Sequence, residues 1–512
     1  MVATAILVAG SVTEKAVTPS SPHCNAEAVG NRPFGVIGLA EVALSSCFMK
    51  EDNSTDRVTQ SLRALVQAAA PGARLPSVRE LQTLHRVSPL TVRHATAPLV
   101  AEGLIVARPG QGTFVNDAGA VPTKIEDRAW QSIVLGAGRP RSEELADLIC
   151  VPQTDAIPLS CGYLPADLQA TGALSAALSR AGRRPDVWGR MAVEGLESLR
   201  GWFARELQPT ATVDEVLICS GGQAALATIF RALTRPGDAI LVESPTYIGA
   251  LAAARAAELQ VIPVPMDENG VRPELLEAAI RATGAKVFYC QPRHANPSGA
   301  ILSADRRPAV IDVMAKAGAF LIEDDWARDL QFEGTNLAPL AENDADGHVV
   351  YIRSLTKPAA PGLRIAAVIA RGAVRTRLKS CRITDDFFVA GPLQEAALQL
   401  VSSPAWIRHL RAMRAELILR RNVLIAAIRD SLPEATLAIV PKGGFHVWIQ
   451  LPDGQSDIAI ARAAAQRGLV VSPGSHWFPA EAPAPFLRLT FAAAPPAVLR
   501  RGIKLLGELL LK

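Results

Sequence analysis

The stretch that decides the fold is Ser354-Leu-Thr-Lys357, followed closely by Pro361-Gly-Leu-Arg364. It comes directly after Val349–Ile352, a short apolar run of the kind that forms a buried strand. A lysine is ordinarily a surface cation. This one leaves an apolar strand between hydroxyl side chains and is trailed by a glycine and a second cation. A sheltered amine in such a setting can condense with an aldehyde. Working outward, Ala239–Val242, Val287–Cys290 and Phe320–Ile322 are further buried-strand runs, while Gln223–Leu233 and Pro273–Arg281 carry helical patterning. That alternation, from about residue 157 onward, predicts an α/β domain with a mostly parallel sheet and no internal repeat.

An aldehyde cofactor such as pyridoxal phosphate also needs a phosphate cradle, an acid at its pyridine nitrogen and a flat group on its ring face. Each has a candidate here. Ser220-Gly-Gly-Gln-Ala224 opens a helix, whose first backbone N–H groups suit a phosphate. Glu323-Asp-Asp325 ends a strand and supplies a carboxylate. Tyr247, in Glu243-Ser-Pro-Thr-Tyr, can stack on a ring, and Asn296, in His294-Ala-Asn-Pro-Ser-Gly299, can donate to a ring oxygen.

In this order the segments resemble the fold-type-I aminotransferases over roughly residues 157–512. The resemblance implies an α/β PLP-dependent fold with a small C-terminal α+β subdomain, and pyridoxal 5'-phosphate as cofactor. It implies that Lys357 carries the cofactor and Asp324 pairs with the pyridine nitrogen. Asn296 would hold the phenolic oxygen, Tyr247 would stack, and Gly222, Gln223, Ser354 and Arg364 would bind phosphate. Arg488, in Phe486-Leu-Arg-Leu-Thr-Phe491, matches the residue that clamps a substrate carboxylate, and Pro441-Lys-Gly-Gly-Phe445 matches a small-domain turn. Two departures bear on catalysis. Many transaminases place a tyrosine three residues after the cofactor aspartate, where this chain has Ala327. Many also carry a tyrosine that reaches the partner subunit's phosphate, near the position occupied here by Gly189, Arg190 and Met191.

Upstream the character changes. The net charge of the chain is +4, and residues 56–116 hold seven arginines against three acids, so the rest is close to neutral. A basic module beside a neutral body points to phosphate contacts in that module. Ser77 and Glu80 form a capping box, and Ser88 with Pro89 opens a second helix carrying Thr91, Arg93 and His94. Arg108-Pro-Gly-Gln-Gly112 reads as a tight turn between short strands. These segments resemble the GntR family of winged-helix regulators, through LPSVREL, VSPLTVRHA, EGLI and PGQGTFV. The resemblance implies that Arg79, Thr91, Arg93, Gly110 and Gly112 contact DNA, with Arg108 on the wing. Pro89 stands where that family often has arginine, and Pro98 falls inside the second helix.

A GntR-like head on an aminotransferase-like body is similar to the MocR subfamily of bacterial regulators. That resemblance implies a homodimer binding a double-stranded DNA operator with paired half-sites, switched by a small amino compound or by the cofactor. The chain then divides into an extension over residues 1–52, a winged helix-turn-helix over 53–117, a linker over 118–156 and the PLP-binding domain over 157–512. Met49 stands just before the first domain, so the extension is also readable as a matter of start-site choice. The seven scattered cysteines include no Cys-x-x-Cys, which argues against a disulfide framework or zinc site and fits a bacterial cytoplasm. No apolar run is long enough for a membrane span, and the start lacks a basic leader. The alternatives are a working aminotransferase with a secondary DNA-binding head, and a repressor that has lost its cofactor.

Overall fold

The structure is a computed structural model that describes residues 54–108, 111–116, 130, 131, 134, 155–207 and 209–510. The extension, most of the linker and Gly110 lie outside the described residues. The chain divides into two compact units, with the break between Gly136 and Ala137.

The first unit is three helices and a two-stranded ribbon. Helix α1 (Ser54–Ala68) buries Val58 and Leu62, which are four residues apart and so lie on one face. Helix α2 (Val78–His85) starts at the expected box: the Ser77 hydroxyl accepts from Glu80 N, and Glu80 reaches back to Ser77 N at 2.7 Å. It ends at Arg86, whose backbone is left-handed (φ 51°) and turns the chain into the next helix. Helix α3 (Pro89–Ala101) is capped by Ser88 with Pro89 in its first turn, and it continues through Pro98. Strands β1 (Ile105–Arg108) and β2 (Gly112–Val115) pair antiparallel, Arg108 opposite Gly112. Val58, Leu62, Leu75, Leu81, Val92, Ala95, Leu99, Ile105 and Val115 form the core.

The second unit is built on one eight-stranded sheet. Its strands are β4 (Val216–Cys219), β5 (Ala239–Ser244), β6 (Gln260–Asp267), β7 (Gly270–Val271), β8 (Val287–Cys290), β9 (Phe320–Asp324), β10 (Val349–Ser354) and β11 (Ala366–Ile369), with β3 (Ile157–Pro158) preceding them outside this sheet. The spatial order is β4-β11-β10-β9-β8-β5-β6-β7. The strands from β10 to β6 run parallel, and β11 runs antiparallel to both its neighbours. Strands β4, β8 and β11 are buried along their whole length, because helices cover both faces and no alternation with polar residues is needed. A three-stranded antiparallel sheet follows, made of β12 (His446–Gln450), β14 (Ser472–Pro473) and β15 (Phe486–Thr490), while β13 (Leu469–Val470) pairs with β3. No helix among the described residues is long and apolar enough to cross a membrane.

Leu99 is fully buried in the nine-residue core of the first unit. Truncating it to alanine removes packed methyl groups from a core too small to relax, at an expected cost of about 2–5 kcal/mol. Amide exchange in the full chain checks this: protection should fall across Ser54–Val115 and persist in β4.

Candidate functional site

In the first unit, Arg79 and Arg93 are exposed and Thr91 is half-buried. The Thr91 hydroxyl lies 2.9 Å from Ser88 Oγ, so it is partly committed to the cap. Arg108 is exposed and its guanidinium lies 4.9 Å from the centre of the Phe114 ring, which props it along the ribbon. Gly112 has φ 122°, a backbone conformation that side-chain-bearing residues rarely adopt, and Arg74 Nε lies 3.1 Å from where its Cβ would stand. Two of the seven arginines serve the fold itself: Arg57 donates to His85 O at 3.2 Å, and Arg63 pairs with Glu102 at 2.5 Å.

In the second unit, the functional side chains gather where β8, β9 and β10 end. Parallel strands present their carboxyl ends on one edge, so residues just beyond them share a crevice. Asp324 is the last residue of β9 and lies opposite Ile352 of β10. Its Oδ2 accepts from Tyr289 Oη and from Gln291 Nε2, each at 2.8 Å. Burial pushes its carboxyl above the usual range, and those two hydrogen bonds oppose the shift.

Lys357 lies in the loop after β10. Its Nζ donates to Gly162 O at 2.7 Å and lies 3.9 Å from the centre of the Tyr163 ring. Burial lowers the amine to about 7, with Arg488 and Arg364 pushing the same way and Cys161 and Asp324 opposing. Near neutral pH the lysine is therefore substantially unprotonated, the form that is nucleophilic.

The phosphate candidates also meet. Gly221 (φ 92°) ends the turn before the helix Gly222–Leu233, and a Cβ on it would stand 2.5 Å from Arg364 Nη2. Only glycine lets that guanidinium approach the helix start. Arg364 itself is left-handed (φ 51°) and donates to Ser220 O at 3.2 Å. Gly222 faces open space. The Gln223 side chain is engaged elsewhere: it donates to Gly249 O at 2.7 Å and accepts from Tyr247 Oη at 3.2 Å, so what it offers an anion is its backbone N–H. Ser354 is buried and accepts from Thr356 N at 3.2 Å, and Thr356 Oγ1 is buried without a partner.

Arg488, on β15, is fully buried. It donates to Ser160 O and, at 3.3 Å, to Asn296 Oδ1, and its guanidinium lies 4.2 Å from the centre of the Trp477 ring. Its Nε has no partner. Burial lowers it to about 9, still a cation at neutral pH. A fork with a free donor, held over an indole, is suited to a carboxylate.

Sequence reasoning missed several residues here. Gln291 joins Asp324 to Asn296, Tyr163 lies over Lys357, and His446 borders the same space. A signal was available, because all four tyrosines of the chain are used: Tyr163 at Lys357, Tyr247 at Gln223, Tyr289 at Asp324 and Tyr351 at Asp325. Ala327 is fully buried and places no hydroxyl there.

Together these features define a two-part protein, a winged helix-turn-helix head and a body of aminotransferase fold. Residues 177–506 match the family described as aminotransferase class I and II, and residues 54–115 match the bacterial regulatory proteins of the gntR family. The chain belongs to the aminotransferase class I and II family, in the MocR type that carries a gntR head. It is 28% identical to the uncharacterized HTH-type transcriptional regulator YdfD of Bacillus subtilis, over 85% of this chain and 91% of that one. It is 29% identical to the HTH-type transcriptional regulator TauR of Rhodobacter capsulatus, over 85% and 91%. Among solved structures, α-aminoadipate aminotransferase LysN of Thermus thermophilus, complexed with N-(5'-phosphopyridoxyl)-L-leucine, matches with a TM-score of 0.70 at 25% identity, covering 74% of this chain and 98% of that one.

The lowered Lys357 amine makes a prediction about loading. Uptake of pyridoxal phosphate by cofactor-free protein should speed up as pH rises toward about 7, then level off as Lys357 loses its proton. An ordinary lysine, with a pKa of about 10.4, would keep gaining over three further units. Stopped-flow absorbance across pH 5.5–9.5 (a range of roughly four units about the shifted value) makes the comparison.

Proposed function

We propose that this chain is a pyridoxal-phosphate-dependent transcription regulator whose body senses an amino compound and whose head binds operator DNA. The observation that carries the reading is the union, in one chain, of the exposed recognition-helix arginine Arg93 with a site made of Lys357 and the buried Asp324 and Arg488. The cofactor is pyridoxal 5'-phosphate, and the residues present fit it. The open face of Gly222 leaves room beside Arg364 for an anion, and orphaned polar atoms of Thr356 and Arg488 await partners. Bound to Lys357, pyridoxal phosphate supplies an electrophilic carbon at which amines exchange.

The chain's own residues do the rest. Lys357 offers a neutral amine. Asp324 faces a ring nitrogen as an acid–base partner, steadied by Tyr289 and Gln291. Asn296 and Tyr247 orient the ring, while Arg364, Ser354, Gly222 and Gln223 N hold phosphate. Arg488 binds the carboxylate of the amino compound. In the head, Arg79, Thr91 and Arg93 approach the major groove, and Arg108, Gly110 and Gly112 approach the backbone. The expected division of the chain, 53–117, 118–156 and 157–512, fits this assignment of roles. A homodimer is part of the proposal: paired half-sites match a two-fold protein, and Trp188 and Phe387, each 68% exposed, are apolar surfaces that a second copy would cover. The cytoplasm is the proposed location, since that is where operator DNA lies in bacteria.

A second reading, a working aminotransferase, is favoured by the neutral Lys357 amine and by relatives such as aromatic-amino-acid aminotransferase 1 of Thermococcus litoralis, 28% identical over 61% of this chain. Against fast turnover stands Ala327, which offers no hydroxyl to tune the ring oxygen.

For DNA, Arg93→Ala should weaken operator binding by about 1–3 kcal/mol and relax specificity at one position. Arg108→Ala should weaken binding to all sequences alike and flatten its salt dependence, as a phosphate contact does. Titration of operator and scrambled duplexes at several salt concentrations separates the two; wild-type behaviour in both variants removes the head assignment.

For sensing, purified protein should carry a visible cofactor band that Lys357→Ala abolishes while leaving the far-ultraviolet circular dichroism intact. An amino acid that shifts the band should change operator affinity, and operator should change ligand affinity by the same factor, because coupling is reciprocal. Product formation with a keto-acid acceptor at about 1 per second or faster, with DNA binding indifferent to every amino acid, would install the enzyme reading instead.

A further inference from the structure

His446 plays no part in the roles assigned above, yet it faces the space in front of Lys357. It begins β12, where it pairs with Thr490 of β15, and Trp448 two residues later pairs with Arg488. Residues two apart on a strand, and residues directly paired, share a face. His446 and Arg488 therefore project from the same side of the small sheet. Gly162 shows where His446 points: a Cβ added there would lie 3.7 Å from His446 Nε2 and 3.7 Å from Lys357 Nζ. The two nitrogens border one gap, kept open by the missing side chain of Gly162.

The imidazole is more than nine-tenths buried and its Nε2 has no hydrogen-bond partner. Burial, reinforced by the positive charges of Arg488 and Lys357, keeps it well below the ordinary histidine range and so neutral. Its other neighbours are the rings of Trp326, at 5.7 Å, and Phe445, at 6.2 Å. Phenylalanine would fill that aromatic niche without orphaning a polar atom. A buried nitrogen left open on the same sheet face as an unpaired donor, Arg488 Nε, marks a place where a ligand supplies the partner.

We propose that His446 is a specificity-determining residue of the effector pocket, and that it selects amino acids carrying a hydrogen-bonding side chain, acidic or amide, over aliphatic ones of the same length. The proposal rests on the sensor reading and names its ligand class. Arg488 takes the α-carboxylate and the amino group meets Lys357. A short side chain placed by those two anchors lies against His446, the third polar group lining that face. An aliphatic side chain there leaves the buried nitrogen unpaired, as it is in the free pocket, whereas a carboxylate or carboxamide supplies Nε2 with a hydrogen bond.

The test uses full-length protein loaded with pyridoxal phosphate and reads dissociation constants from the shift of the visible band. Matched pairs serve as probes: aspartate and asparagine against 2-aminobutyrate, and glutamate and glutamine against norvaline. Wild type should favour the polar member of at least one pair by about tenfold or more. His446→Phe should keep the cofactor band and bring that ratio to about one, chiefly by weakening the polar member. His446→Gln, which retains a hydrogen-bonding head, should keep part of the preference. A wild-type ratio near one in both pairs, or a ratio unchanged in His446→Phe, overturns the assignment while leaving the sensor reading in place. A loaded protein whose band responds to no amino acid overturns the sensor reading, and this one with it.

Discussion

The carboxamide of Gln291 joins the side chain of Asp324 to the backbone of Asn296. Its Oε1 accepts from Asn296 N at 2.9 Å and its Nε2 donates to Asp324 Oδ2 at 2.8 Å, while its own backbone N–H donates to Glu243 Oε2 at 2.8 Å. The amide orientation is dictated, because reversing it would set a donor against an N–H and an oxygen against a carboxylate. Through this one residue the loop after β8 is fastened to the ends of β5 and β9. Asn296 in turn accepts from Arg488, so the small sheet is coupled to the same point. Side chains that hold a planar cofactor must be correct to a fraction of an ångström, and a satisfied, buried network supplies that rigidity.

The strand ends are also unusually rich in buried charge. Glu323 accepts the backbone N–H groups of Leu340 and Ala341, and Asp325 accepts from Arg293 Nε and Tyr351 Oη. Burial raises Glu243 and Glu323 to about 7 each, which lets a neighbouring set of carboxyls coexist without full mutual repulsion. Arg488 and Arg364 add positive charge near Lys357, and the same burial that makes the lysine costly to protonate makes it reactive. The site is thus polar and partly unsatisfied by design: it is built to be completed by a phosphate, a ring and a carboxylate.

The head follows a different logic. Its nine-residue core needs no buried ions, and its arginines divide between fold and surface: Arg57 and Arg63 tie helices together, while Arg79, Arg93 and Arg108 remain exposed. A ligand acting on the body can change DNA binding only through a difference in its affinity for two states of the whole chain. A ligand that bridges Arg488, Lys357 and His446 touches both the large sheet and the small sheet, which is where such a difference can arise.

Much of this was legible in the residues. The capping box at Ser77, the proline-led helix at Ser88, the buried runs of β5, β8, β9 and β10, and the glycine pair before the helix Gly222–Leu233 are local signals. Each depends on backbone hydrogen bonding or on side-chain period within a few positions, so the chain carries them in linear order. The roles of Gln291, Tyr163 and His446 were not legible, because nothing nearby in sequence marks them: Gln291 meets Asp324 across 33 positions, and Lys357 meets Gly162 across 195. Gln223 shows the same limit from the other side, since its motif suggested an anion ligand while packing turned its side chain to Tyr247 and Gly249. The sequence by itself determined which elements form and in what order, and which residue types reach the strand ends. Only the tertiary structure decided which of those side chains stay unpaired, because an orphaned nitrogen or a displaced proton is a property of everything that surrounds a group, drawn from distant parts of the chain.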